Sequence, residues 1–596
     1  MYKYHKPDNL VDLFEDAVRK WPENNLFGKI NKAGAIDWLT YSQIGERVDN
    51  FRSGLAQLGV TKNDAVGIIA DNRPEWAVGA FAAYGLGATY ILMYEAELQS
   101  TWKYIIGDSA VKVLIVANKK IHDMVKDFTA EIPSLRHIIV IDSDEDNSMA
   151  ALEKAGKEKP VASIKPDPYD VAALVYTSGT TGEPKGVELT HGNFTSNARG
   201  GFLLYPDQGR EDARSVSILP WAHSFGQTAE LYNFFQFGGS IVFMRSVKTL
   251  GEDIAISKPT VIVAVPRVFN KIYDGLWARM NETGGLPKKL FVMGVDSARK
   301  KRLLAKDGKS SLITNIAFYI ANKIVFSKIR RGFGGRLEGA MTASATMNPE
   351  ISNFFFDIGI PVYDCYGLSE TSPGVTMSCP SAYRIGSVGR AMEDVRVVID
   401  TSKGDPVIGD GEIVVYGPNV MKCYHNKPEA TKAVMTDDGG FCTGDRGRID
   451  EDGYLHITGR IKEQYKLENG KYVFPASLEE DIRLIPVVAN AMIYGEGREY
   501  NTCIVVPDFV VLEKYAREKN ISTDPDELVS NAEIQKMIID EIKALLQKKY
   551  GGYEIPRKFS FISEDFTLEN GMLTQTMKLK RRVVMDKYRE QIEAMY

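Results

Sequence analysis

Short apolar runs of strand length punctuate the first part of the chain: VGIIA near residue 66, VKVLIVA near 111, HIIVID near 137, AALVYT near 172 and PTVIVAV near 259. Between them apolar residues recur at helical spacing. Strands that alternate with helices predict α/β layers built on parallel sheets. From about residue 411 the pattern changes, and GEIVVYG and GYLHITGR, short alternating strands set between glycine turns, predict a small β-rich unit. A charged connector, IKEQYKLENGK, follows Arg460 and leads into a mixed α/β segment, so a boundary is expected near residue 460, between a body of residues 1–459 and a C-terminal domain of residues 460–596. In that domain Ser530, Asn531, Ala532 and Glu533 read as a capping box ahead of Ile534, Ile538, Ile542 and Leu545, a stripe better suited to a core than to a membrane surface. The expected fold class is α/β: a large N-terminal body of layered sheets and helices plus a β-rich subdomain, with a small α+β C-terminal domain.

The N-terminal stretch MYKYHKPDNLVDLFEDAVRKW carries Leu10, Leu13, Phe14, Ala17 and Val18 on one face and has no cleavable apolar core. It reads as an amphipathic helix and not as a signal peptide. A second window, Trp76 to Tyr94, is uncharged for 19 residues and passes a crude length test for a membrane span. Its three glycines and its change to a strand-like YILMY predict a buried helix, turn and strand instead, so no integral membrane segment is expected.

At 596 residues the chain exceeds one core, and length alone predicts about four domains. A composition of 44% apolar and 25% charged residues with a net charge of −5 is that of a soluble globular protein and argues against a nucleic-acid partner, which would bring a basic excess. Five cysteines without a C-x-x-C pair point to reduced thiols in a cytoplasmic setting and to no zinc site.

The stretch YTSGTTGEPKG, Tyr176 to Gly186, packs hydroxyls, glycines and one lysine after the apolar run AALV. A glycine- and hydroxyl-rich turn after a strand exposes backbone N–H groups that can wrap an anion. It is not a Walker loop, because Lys185 follows Pro184 and precedes Gly186 where that motif needs glycine, lysine and then a hydroxyl. A flexible surface turn is the other reading of such a cluster. Four further motifs bear on the choice. DCYGLSET, Asp364 to Thr371, offers in Tyr366 a flat ring able to stack on a base, in Gly367 a close backbone approach, and in Glu370 a carboxylate flanked by hydroxyls. CTGDRG sets Asp445 in a turn where it could accept two ribose hydroxyls, ITGRIKEQYKLENGKYVFP holds Arg460 and Lys462, and LTQTMKLKRR holds Lys578. Each alone also reads as a core tyrosine, a turn aspartate, a solvated arginine or a surface charge run.

In order and spacing the five motifs together resemble the AMP-forming adenylating enzymes, the superfamily of acyl-CoA synthetases, luciferases and peptide-synthetase adenylation domains. The likeness runs from about residue 30 to 590, and SKPTVIVAVPRVFNKIYDGL with YKLENGKYVFP is most similar to long-chain fatty acyl-CoA synthetases. The resemblance implies that a medium- to long-chain fatty acid reacts with ATP to give acyl-AMP and pyrophosphate, after which CoA displaces AMP. An aromatic-acid CoA ligase, or an acyl-AMP ligase that loads a carrier protein, is the alternative within the same fold. It further implies that Thr177, Ser178, Gly179, Thr180, Thr181, Gly182 and Lys185 hold the β- and γ-phosphates, with magnesium bridged by Glu370 and Thr177. Tyr366 is then the adenine platform, Asp445 and Arg460 clasp the ribose, and Thr371 reaches the α-phosphate. Lys578 bridges the acid's carboxylate and the α-phosphate. The C-terminal domain is implied to be mobile, turning about Lys462 to bring Gly470 and Lys471 to the CoA channel. His223, in LPWAHSFGQ, matches a position beside the acyl carboxylate, where orienting the acid is favoured over proton chemistry. The resemblance implies that Ser344 and Ala345 border the nucleotide, but one departure stands out: TASAT, Thr342 to Thr346, replaces a Ser-Gly-Gly-Ala-Pro turn, so Ala343 and Ser344 add side chains against nucleotide and acyl group, and Ser344 predicts a narrower tunnel. Oligomeric state and peripheral contact with a membrane are left open.

Overall fold

The computed structural model describes residues 7–177, 183–345, 347–404, 409–461, 464–574 and 578–596. Its largest sheet has seven strands in the order Cys423–Tyr424, Lys185–Thr190, Val171–Thr177, Thr89–Met93, Ala65–Ile69, Val111–Val116, His137–Val140, and the last five run parallel. These strands are apolar on consecutive positions because helices cover both faces, as Ala65–Ile69, buried along its whole length, illustrates. A second sheet sets Val261–Ala264, Gly339–Thr342 and Val362–Gly367 parallel, then turns back antiparallel through Gly374–Met377 and Arg390–Ala391. The β-rich unit expected from residue 411 is present as a four-stranded antiparallel sheet, but it opens earlier, with Arg396–Asp400.

The N-terminal helix Leu10–Lys20 starts at Asn9, whose Oδ1 accepts the Asp12 N–H at 2.8 Å, and buries Leu10, Leu13, Phe14 and Ala17. Phe14 stacks on Phe81 with ring centroids 4.4 Å apart. Phe81 belongs to the helix Pro74–Gly85, which is buried from Trp76 onward and turns at Gly87 (φ +69°) into the strand Thr89–Met93. The uncharged window is thus core, as its glycines indicated.

The C-terminal segment has a separate core around Leu478, Ile482, Val505 and the helix Ala532–Leu546. That helix is capped one residue later than expected. Asn531, not Ser530, accepts the N–H groups of Glu533 and Ile534, at 3.0 and 3.1 Å. Ile534, Ile538 and Ile542 are buried as expected, and Leu546 completes the stripe while Leu545 is only partly covered.

Between these regions lies a helical block, Pro266–Thr283, Gly285–Lys306 and Leu312–Ala321, the last running on as a helix to Gly332. Gly294 permits its tightest contact: a Cβ there would stand 2.8 Å from Ala321 Cβ and 3.0 Å from Phe326 Cζ.

Candidate active site

Antiparallel pairing of Val171–Thr177 with Lys185–Thr190 sets Thr177 opposite Lys185. The residues expected at the hairpin tip, Ser178, Gly179, Thr180, Thr181 and Gly182, lie outside the described residues. Lys185 holds its ammonium 4.8 Å from the centre of the Tyr424 ring, a cation–π contact. The Tyr424 hydroxyl donates to Glu370 Oε1 at 2.8 Å. Burial and the Glu370 carboxylate hold the Tyr424 phenol far above its ordinary pKa, so it stays a donor. One ring therefore spaces a cation from a carboxylate. Tyr424 arrives there because Cys423–Tyr424 pairs with the hairpin's outer strand. Glu370 arrives because its turn, Ser369–Thr371, is tied by the Met421 N–H donating to the Glu370 carbonyl at 2.8 Å. Sequence reasoning missed Tyr424, since MKCYHN carries no signature and only sheet pairing reveals its neighbours.

In the four-stranded sheet, Asp445 faces Arg460 across paired strands. Its buried carboxylate accepts from Arg460 Nε at 2.6 Å and from the Tyr366 hydroxyl at 2.8 Å, one bond to each oxygen. Three residues from three separate sequence motifs thus form one hydrogen-bonded unit. Gly367 admits no side chain, because a Cβ would sit 1.8 Å from the Pro373 carbonyl oxygen. Thr371 departs from expectation. It is fully buried, and its hydroxyl accepts the Leu368 N–H at 2.9 Å and donates to backbone carbonyls, which makes it a holder of the turn and not a group presented to phosphate.

An apolar cavity opens beside this unit, lined among others by His223, Phe225, Ala343, Ser344, Tyr366 and Met392. Ser344 holds φ at +78°, the left-handed region that favours glycine, and Ala345, exposed, is not part of the lining. Thr346 lies outside the described residues. Met392 passes between two glycines: a Cβ at Gly374 would meet its sulfur at 2.6 Å and one at Gly200 its methyl at 2.9 Å. His223 Nδ1 accepts the Phe225 N–H at 3.1 Å, which leaves the proton on Nε2. Burial, and after it the nearby Lys578 ammonium, push the imidazole down to about 4.

The charge of Lys578, from the C-terminal segment, is thus felt at the cavity's histidine. What anchors its loop escaped the sequence reading. Arg581 donates to both oxygens of Glu479, at 2.7 and 2.8 Å, and Glu479 also accepts the Ile493 N–H at 2.6 Å. The adjacent Glu480 is raised to about 7 by burial, against the pull of Arg483 and Lys578. Gly470 (φ +78°) and Lys471 occupy an exposed hairpin tip, with the Lys471 ammonium 4.5 Å from the Tyr553 ring centre, and do not line the cavity. Lys462 lies outside the described residues. Just beyond it, Gln464 Oε1 accepts from Arg446 at 2.8 Å, and Arg446 is a buried partner of Asp410.

Among the described residues no group of three or more His, Cys, Asp or Glu gathers as a metal cage. A single carboxylate, Glu370, held across the Tyr424 ring from Lys185, suits magnesium, which keeps waters and needs few protein ligands.

The sequence profile described as AMP-binding enzyme matches residues 14–425, and that of the AMP-binding enzyme C-terminal domain matches residues 462–596. Among curated proteins the chain is similar to fatty acyl-CoA synthetase A of Dictyostelium discoideum, 31% identical over 99% of this chain and 92% of that protein. It is also similar to long-chain-fatty-acid–CoA ligase FadD15 of Mycobacterium bovis, 30% identical over 99% of this chain and 97% of that protein. In fold it is similar to the A domain of a carboxylic acid reductase from Segniliparus rugosus in complex with AMP and a co-purified carboxylic acid, with a TM-score of 0.78 at 20% identity over 99% of this chain and 94% of that one.

Proposed function

The chain belongs to the AMP-binding enzyme family, and from that premise we propose that it is a fatty acyl-CoA synthetase. It joins a medium- to long-chain fatty acid to AMP at the expense of ATP, releases pyrophosphate, and passes the acyl group to CoA. The observation that carries this reading is the apolar cavity that places His223 together with Tyr366 of the Tyr366–Asp445–Arg460 unit, and the Lys578 charge is felt at that histidine.

A carboxylate oxygen is a hopeless leaving group until it is esterified to AMP. In that step negative charge crowds the α-phosphate, and fixed cations and N–H dipoles give the largest help. Lys578 bridges the acid's carboxylate and the α-phosphate, and the neutral His223 offers Nε2–H to orient the acid. Lys185 meets the outer phosphates, Tyr366 presents its ring to adenine, and the Asp445–Arg460 pair takes the ribose hydroxyls. Thr371 supports the turn that carries Glu370. Glu370 and Thr177 would hold magnesium, which supplies charge neutralisation on the phosphates when bound. For the second step the C-terminal domain turns about Lys462, withdraws Lys578 and brings Gly470 and Lys471 to the CoA channel. Their exposed position here is in keeping with that exchange, and the turn has to release Gln464 from Arg446. The proposed setting is a reducing cytoplasm, supported by five free cysteines.

The acceptor and the acid are tested together. Pyrophosphate release across fatty and aromatic acids, with either CoA or a phosphopantetheinyl carrier protein, is expected to be fastest with a fatty acid and CoA. Preference for an aromatic acid or for the carrier contradicts the proposal.

Two cavity residues set the chain length. Ser344 places a hydroxymethyl group on the wall from a backbone that favours glycine, and Met392 fills the gap between Gly200 and Gly374. Each methylene that gains burial contributes about 0.8 kcal/mol. Ser344→Gly and Met392→Ala are each expected to move the optimum of kcat/KM along saturated acids toward longer chains, by roughly tenfold for two added methylenes. Profiles superimposable on the wild type would mean that neither side chain faces the acyl chain.

His223 supplies a pH prediction. A histidine whose folded pKa lies near 4 is neutral from about pH 5 upward, so it adds no limb at the ordinary imidazole value of about 6.5. Adenylation rates of the wild type and His223→Gln are expected to follow parallel pH profiles between about pH 5.5 and 8. A limb near 6.5 present only in the wild type would assign this imidazole a proton-transfer role. The unfolded chain holds a proton on this histidine more tightly than the fold does, so acidification below about 6.5 destabilises the fold through this residue.

A further inference from the structure

The helix that begins at Leu312 is apolar on two faces, and only one of them is packed. Its inner face sets Phe318, Ala321, Val325 and Phe326 against the neighbouring helix and the core behind it, held close by Gly294. Its outer face carries Leu312, Ile313, Ile316, Tyr319, Ile320 and Ile324, all exposed, with Ile313 at 81% and Leu312 at 76% of their full accessibility. These positions recur at helical spacing and form a continuous stripe. A surface helix needs one apolar face for its own protein, so the second calls for a partner. By length and composition the stretch Leu312–Gly332 could cross a membrane, yet only 17% of its most apolar window is buried, unlike a core helix of the same composition.

Charge identifies the partner. Residues 285–332 hold twelve Lys and Arg against two Asp, a net of +10, whereas the whole chain is −5, which leaves −15 for the rest. Ten of the twelve are exposed, among them Lys288, Lys300, Lys306, Lys323, Lys328 and Arg331. Arg302 is engaged by Asp357. An exposed apolar stripe bordered by exposed cations matches a bilayer with anionic headgroups, where the apolar residues enter the acyl boundary and the cations meet phosphate. A second copy of the chain matches poorly, because a two-fold contact would set two surfaces of +10 face to face. A spanning helix fits poorly too, since it would have to strip Phe318 and Phe326 from the core and bury Lys323, Lys328, Arg330 and Arg331.

We propose that the outer face of Leu312–Ile324, with the basic residues around it, is a docking surface for anionic lipid bilayers. The protein lies on the membrane through it and does not cross. The claim is independent of the reaction proposed above, because vesicle binding is read without turnover.

The full chain is sedimented with phosphatidylcholine vesicles, with and without phosphatidylglycerol. Binding to the anionic vesicles is expected, weakened by high salt and reduced by about tenfold or more both in Ile313→Glu/Ile316→Glu/Ile320→Glu and in Lys323→Glu/Lys328→Glu/Arg331→Glu. An unchanged circular dichroism spectrum and unchanged turnover of a short, soluble acid show that the variants are folded. The proposal is overturned by no binding of the wild type to anionic vesicles, by equal binding of the wild type and the folded isoleucine variant, or by a solution dimer that this variant dissolves while vesicle binding persists. Release from the vesicles only by detergent would contradict surface docking.

Discussion

Lys578→Ala is expected to lower the rate of acyl-AMP formation by about 10²–10³-fold while leaving thioester formation from supplied acyl-AMP and CoA within a few-fold of the wild type. The first half follows from placement. In the proposed reaction the acid's carboxylate meets the α-phosphate beside His223, where the Lys578 charge is felt, and a charge fixed there would count most in the crowded transition state. The second half follows from the proposed swing, which would remove Lys578 before CoA attacks. Glu479→Ala tests the anchor behind it. Losing the two bonds from Arg581 should loosen the loop and lower the first half-reaction by a smaller factor, with the KM for CoA unchanged. Measuring each half-reaction separately is decisive: equal loss of both in the Lys578 variant would mean one cap serves the whole cycle.

Lys185→Ala is expected to raise the KM for ATP and reduce kcat/KM by about 30-fold, the equivalent of about 2 kcal/mol for a lost charge-assisted contact. The protein should remain folded, because the lysine lies at the hairpin's end and contacts the Tyr424 ring without entering the core. Tyr424→Phe separates the two roles of that ring. It keeps the face beneath Lys185 and removes only the hydroxyl that donates to Glu370, so its effect should appear mainly in the magnesium dependence of the rate. Unchanged kinetics for ATP in Lys185→Ala would show that the hairpin does not meet phosphate.

What could be read from sequence divides along a physical line. The parallel strands were legible because a strand covered on both faces is apolar at every position, as in Ala65–Ile69. Asp445, Arg460 and Tyr366 were legible through their motifs, although their union into one hydrogen-bonded unit was not. Tyr424, Glu479 and Arg581 act through partners far away in sequence, and nothing local distinguishes them from an edge-strand tyrosine or a surface ion pair. Thr371 shows the converse failure: a hydroxyl beside a functional carboxylate looked like a ligand, whereas the tight turn needs it to satisfy backbone groups. The one-residue shift of the helix cap to Asn531 is of the same kind, since Ser530 closes the preceding helix Pro525–Ser530 and its hydroxyl donates to the Asp526 carbonyl, which leaves Asn531 as the cap. The exposed stripe on Leu312–Ile324 escaped because apolar periodicity marks a buried face and an unpartnered one alike.

The central claim, that one site makes an acyl adenylate before any thiol is needed, is tested most directly by pyrophosphate–ATP exchange. With palmitate, ATP and magnesium but no CoA, exchange is predicted to depend on the acid, and addition of CoA should convert the bound intermediate to acyl-CoA with release of AMP. Exchange that occurs without the acid, or product analysis that finds ADP and phosphate in place of AMP and pyrophosphate, would contradict it.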